Sequence, residues 1–213
     1  TNVRLYVKYF IVVTLFDFID ASIIEVPTGY ILAGVVLEAG LPRLMIASFD
    51  LDWQMIGAPT YFEWLDLLET GVGVMLVPIC NQEDLLVLSD PDASEGSKEP
   101  EISGYYLLTT LLQGEGASVL ERTVPILRKL DLNFGLVQSK VLDAKQLTLD
   151  THMGFHPLSN GGFYVITNGK NPITDAGGKG DDLFLLSYDD QWELLRIVQL
   201  TVNGSPHDFH PSR

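Results

Sequence analysis

Cysteine is almost missing from this chain. Cys80 stands alone, which excludes an intrachain disulfide and a cysteine-rich zinc site and leans towards a reducing compartment. Positive charge is scarce too: 13 Lys and Arg face 28 Asp and Glu, a net charge of -15. Such a field repels the phosphates of nucleic acids and anionic lipid headgroups, so neither is an expected partner. The acidity either keeps the protein dispersed or recognises a basic partner. Long apolar runs are also lacking. "FIVVTLF" at 10–16 is too short to cross a bilayer and has the wrong flanks for a signal peptide. The expectation is a soluble chain with no transmembrane segment; because it opens on Thr1, its localisation stays open.

What is present suffices for a core: 46% of the 213 residues are hydrophobic. The expectation is a single domain over 1–213, with an exposed acidic loop or boundary at about 90–102, where "PDASEGSKEPE" collects acids, prolines and glycine. Runs rich in branched and aromatic residues predict strands at 3–15, 30–38 and 43–50. "TYFEWLDLLETG" predicts a helix, with Thr60 and Glu63 as a capping box and Phe62, Leu65 and Leu68 on one face. "VGVMLVPI" at 72–79 reads as a covered strand, giving a strand-helix-strand unit over about 43–79. "YYLLTTLL" resumes a strand, "VLERTVPILRKL" reads as a helix kinked at Pro125 or restarted at Thr123 as a new N-cap, and 134–150 fits either state. "GFYVITNG" at 162–169 is a strand, and the segment around Asp189 and Asp190 predicts a C-terminal β-hairpin. No repeat of fixed period is visible. The fold class expected is α+β, or irregular α/β, with a mixed β-sheet.

Three constellations could carry chemistry. In "SFDLDWQ", Asp50 and Asp52 are two apart and would project together from a strand end. Two close carboxylates share a proton or hold a divalent cation, the states that acid catalysis, nucleophilic attack and metal-assisted hydrolysis use. They could equally be the solvated end of a strand before a turn. In "LLQGEGASVLER", glycines precede a candidate helix start, where free amides bind phosphate: Gln113, Gly114, Gly116 and Ser118 form that loop, with a simple capped turn as the alternative. The histidines fall in two pairs, "HMGFHP" and "HDFHP". His152, His156, His207 and His210 could complete a zinc site with Asp208 in reserve, or lie in two exposed loops. A glycine-rich loop with Asp175, Asp181 and Asp182 offers oxygen ligands for calcium.

Resemblances to known families attach to the same residues. "FDLDWQ" resembles the DxDxE signature of chitinase-type glycoside hydrolases, and Tyr188 and Asp189 in "LFLLSYDD" resemble that family's later Tyr-Asp pair. Gln54 stands where the family has its acid, which implies a sugar binder or inhibitor relative. "FDLD" also looks like the nucleophile strand of haloacid-dehalogenase-type phosphatases, with Thr167 in "YVITNG" echoing their second motif; this implies Asp50 as nucleophile, Asp52 as acid/base and magnesium as cofactor. The Gln113 loop is similar to the coenzyme A loop of GNAT-type acyltransferases, "LDTHMGFHP" lying where that family has a later segment and Asp150 where it has a tyrosine. The sequence therefore supports a carboxylate-dependent hydrolase of glycosides or phosphate esters first, acting on a small molecule with Asp50 and Asp52. A non-catalytic binding or inhibitory protein, using acidic loops at 83–101 and 175–193 against a basic partner or binding a sugar, is the alternative; an acyl-CoA-dependent acyltransferase is third. A divalent metal ion is the cofactor these imply, and the oligomeric state stays open.

Overall fold

Alternating apolar side chains make strands of nearly every segment in the computed structural model, which describes residues 18–38, 41–62, 73–80, 101–113, 122–145, 147–158, 160–170 and 182–200. The order is β1 Phe18–Val26, β2 Gly29–Glu38, β3 Leu41–Phe49, β4 Met55–Phe62, β5 Met75–Cys80, β6 Ile102–Gln113, β7 Arg122–Leu130, β8 Leu136–Val141, β9 Thr148–Pro157, β10 Phe163–Lys170, β11 Asp182–Tyr188 and β12 Leu194–Leu200. They form three sheets of four strands, each a meander in chain order, with all pairs antiparallel.

The α+β expectation, with its α/β variant and mixed sheet, is thereby overturned: the described residues contain strands and turns and no helix. In the stretch 43–79, the chain reverses after Phe49 into β4, and Thr60 pairs with Ile46 in place of capping a helix. β5 belongs to the second sheet, so no strand-helix-strand unit joins these strands; the remainder of the expected helix, at 63–72, lies outside the described residues. The second expected helix is β7. Thr123, Val124 and Ile126 are β-branched and favour a pleated surface, and Pro125 is accommodated because its carbonyl accepts the Leu142 N–H at 2.8 Å, just past the last β7–β8 pair, Ile126 with Val141. In a strand the N–H and C=O of one residue point the same way, so the missing proline N–H falls where that ladder has ended. The hairpin at Asp189 and Asp190 is formed by β11 and β12. The chitinase-type resemblance implies a barrel of parallel strands and helices, and the described strands, all paired antiparallel in three separate sheets, do not share that architecture.

The sheets stack face to face in chain order. From the first sheet, Ile31, Ala33, Leu44 and Ile46 pack against Tyr105, Leu107 and Leu130 of the second. The opposite face of the second sheet, with Tyr106, Leu108 and Leu127, packs against Phe163, Val165, Phe184, Leu186 and Tyr188 of the third. A further cluster, with Leu32, Met45 and Phe49, occupies the other face of the first sheet. The broadest close approaches between sheets involve β5 or β9, the first strands of their meanders, and β4, β8 and β12 take no part in them. The fourth strands are therefore the outer rim. There the large apolar side chains left in solvent collect: Met55, Ile56, Leu136, Val137, Val141 and Leu195.

A single local design closes the hairpin between the third and fourth strands of every sheet. At Asp50 the carboxylate oxygen Oδ1 accepts the N–H groups of Asp52 (2.9 Å) and Gln54 (2.8 Å). At Asp131 it accepts those of Asn133 (2.8 Å) and Gly135 (2.7 Å). At Asp189 it accepts those of Gln191 (2.9 Å) and Glu193 (2.8 Å). In each turn the N–H three residues on bonds the aspartate carbonyl, and the aspartate N–H bonds the carbonyl four residues on. This is a three-residue hairpin loop whose last residue is left-handed. Here that residue is aromatic: Trp53, Phe134 and Trp192 have φ of 63°, 64° and 61°. Bulky residues rarely adopt that conformation; packing of the rings offsets its cost. Trp53 stacks on Tyr30 with centroids 4.3 Å apart, Phe134 lies 5.4 Å from Tyr105, and Trp192 lies 6.3 Å from Phe163.

Candidate functional site

The same repeat shapes the concave part of the molecule. Tyr30, Tyr105 and Phe163 each follow a glycine at the start of the second strand, and each is in register with the residue before the turn aspartate: Phe49, Leu130 and Tyr188. Between the first two sheets, where the β1–β2 turn approaches the 131–135 turn, this leaves an open cleft of about 680 Å³. Tyr105 and Phe134 supply its aromatic wall and Pro27 and Thr28 one lip, while Tyr30 and Phe49 border it with their rings packed on Trp53 at the other face of the first sheet. Ile56 and Leu132, each about half exposed, stand at its mouth. Ser48, Thr60 and Asn133 add uncharged polar groups, and Glu101 is the charged residue among the described lining. Burial, with Cys80 adding to it, raises the Tyr105 hydroxyl above its ordinary range, so it is a neutral donor at physiological pH. The volume and mixed lining are those of a site for a ligand or a peptide side chain, with apolar walls for affinity and a few polar groups for orientation.

Asp50 and Asp52 are not among the residues that line this cleft. Asp52 is exposed, and Asp50 holds two amides of its own turn through one oxygen. Of the remaining candidates, Gln113 ends β6, while Gly114, Gly116 and Ser118 lie outside the described residues. His152 and His156 are both on β9, opposite Thr167 and Tyr164 of β10; His207 and His210 lie outside the described residues, as do Asp175 and Asp181. Among the described residues no group of three or more His, Cys, Asp or Glu is arranged to hold a metal ion. Asp182 is buried at the start of β11, where it accepts Gln199 Nε2 at 2.6 Å. Tyr188 and Asp189 end β11: the Tyr188 hydroxyl donates to the Asp143 carbonyl at 2.9 Å, and burial together with the charge of Asp143 pushes its pKa well above the tyrosine range. Thr167 is buried in β10.

No family model, curated protein or solved structure matches this chain. No helix among the described residues is long and apolar enough to cross a membrane. The cleft residues Tyr30, Tyr105 and Leu132 did not stand out in the sequence as a site, while Glu101 ends the acidic loop read there at 83–101. A signal for them exists: "TGYIL", "SGYYL" and "GGFYV" align on glycine plus aromatic, and "FDLDWQ", "LDLNFG" and "YDDQWE" align on aspartate followed three residues later by an aromatic.

Proposed function

We propose that the chain is a non-catalytic binding module that takes an extended segment of a basic partner protein into the cleft between its first two sheets. The observation that carries this reading is the cleft itself: an aromatic wall, exposed Ile56 and Leu132 at the mouth, and a glutamate as its charged residue, on a chain of net charge -15. Apolar anchors would fill the aromatic part, and flanking Lys or Arg would meet the acidic field, which steers encounter and favours basic partners. The recurrence of the Asp50 turn at Asp131 and Asp189 supports a structural role for this carboxylate and weighs against assigning it to hydrolysis.

Selection from a random-peptide library on the immobilised chain tests this. Peptides with an aliphatic or aromatic anchor flanked by basic residues are expected to emerge, and added salt is expected to weaken their binding. Leu132→Asp should lower their affinity by at least about tenfold, roughly 1.4 kcal/mol. Peptides that bind the Leu132→Asp and Ile56→Asp variants as well as the parent chain would remove the cleft from the account.

A further inference from the structure

The register of the repeat identifies a second surface, independent of the cleft. Numbered from the glycine and the turn aspartate, Ile31, Ala33 and Ile46 of the first sheet correspond to Tyr106, Leu108 and Leu127 of the second. They correspond in turn to Tyr164, Ile166 and Leu185 of the third. In the first two sheets these residues are the contact with the following sheet, and all are buried. In the third they are apolar again, yet Tyr164, Ile166, Leu183 and Leu185 are only partly buried. Leu185 pairs with Val198 and Leu183 with Leu200, so β12 extends the same face with two more partly buried aliphatic residues.

We propose that this face docks a second copy of the chain, third sheet against third sheet. The stacking already present shows that such a face is satisfied by another sheet. At the opposite end of the stack Leu32, Met45 and Ala47 of the first sheet are at most 2% exposed, so a head-to-tail copy would find less open aliphatic surface there than the third sheet offers to its own copy. What remains is the self-complementary arrangement of a two-fold dimer. Charge favours the same place. The chain carries -15, but among the described side chains of this face none is acidic; its polar members are Asn168, opposite Leu183, then Ser187, and at the edges Arg196 on β12 and His156 on β9. Two copies meeting here bring apolar surface together with the least repulsion between carboxylates.

Sedimentation equilibrium of the full 213-residue chain over a range of concentrations is the test. The parent chain is expected to be a dimer at micromolar concentration. Leu185→Glu, and the milder edge substitution Val198→Glu, should each raise the dissociation constant at least tenfold while far-UV circular dichroism stays that of the parent. Leu136→Glu, on the rim of the second sheet, should leave the dimer intact. A parent chain that is monomeric at every concentration would overturn the proposal. So would a dimer that Leu136→Glu dissociates and Val198→Glu does not.

Discussion

Gly29→Ala is expected to lower the unfolding free energy by about 3 kcal/mol or more, at the upper end of what single substitutions do. The cause is a close approach. A β-carbon at Gly29 would lie 2.0 Å from the Phe49 carbonyl oxygen and 2.8 Å from the backbone of Asp50, and the residue has a φ of +146° that only glycine adopts readily. Backbone cannot swing aside as a side-chain tip can, so the β2–β3 pairing that holds the 50–54 turn in place must open. Gly104 and Gly162 repeat the relation: their β-carbons would lie 2.5 Å from the carbonyl oxygens of Leu130 and Tyr188. Equilibrium unfolding in urea checks this. Alanine at Gly57, where a β-carbon meets nothing within 4 Å, serves as comparison, its cost restricted to the strain of a φ of +72°.

Phe163→Ala should cost about 3–5 kcal/mol, the range for removing a fully buried phenylalanine. Phe163 is 0% exposed. Its ring stacks on Tyr188 with centroids 4.9 Å apart, on Phe155 at 5.0 Å, and meets the edge of Trp192 at 6.3 Å. It belongs to the cluster that joins the second and third sheets, so the cavity left behind has aromatic walls that cannot collapse without shifting the Asp189 turn. The equivalent substitution in the first sheet, Tyr30→Ala, should cost less, because Tyr30 is only partly buried and lines the open cleft. Thermal unfolding of the two variants side by side gives the ordering, and an equal loss in both would contradict the packing described.

Individual strands were legible in the sequence where branched and aromatic residues run together. "GYILAGVVLE" and "YYLLTTLL" announce β2 and β6, and the turn at Asp189 announces the β11–β12 hairpin. What misled was local periodicity without its context. Thr60 and Glu63 have capping-box spacing, but Thr60 is held in β4 by pairing with Ile46, a contact that exists only once the 50–54 hairpin has closed. Pro125 looks like a helix breaker because its tolerance in β7 depends on where β8 ends. The threefold repeat shows no fixed period in the sequence because the turns begin at 50, 131 and 189, with unequal segments between them. Only turn and register chemistry recurs; strand and loop lengths do not. Asp50 and Asp52 stand out in the sequence as two acids two residues apart. The feature that marks them is shared with "LDLNFG", where Asn133 replaces the second acid, and with "YDDQWE", where Gln191 does. The first aspartate and the aromatic are what the turn geometry uses.

Alanine at each of the three turn aspartates measures what that shared geometry contributes. Asp50→Ala, Asp131→Ala and Asp189→Ala each remove one acceptor of two backbone N–H groups. Each should lower the unfolding free energy by a similar amount, about 1–3 kcal/mol for two hydrogen bonds to a charged group in a partly solvated turn. If Asp50→Ala leaves stability untouched while the other two fall, the Asp50 carboxylate is not held for the turn and the three hairpins do not share one design.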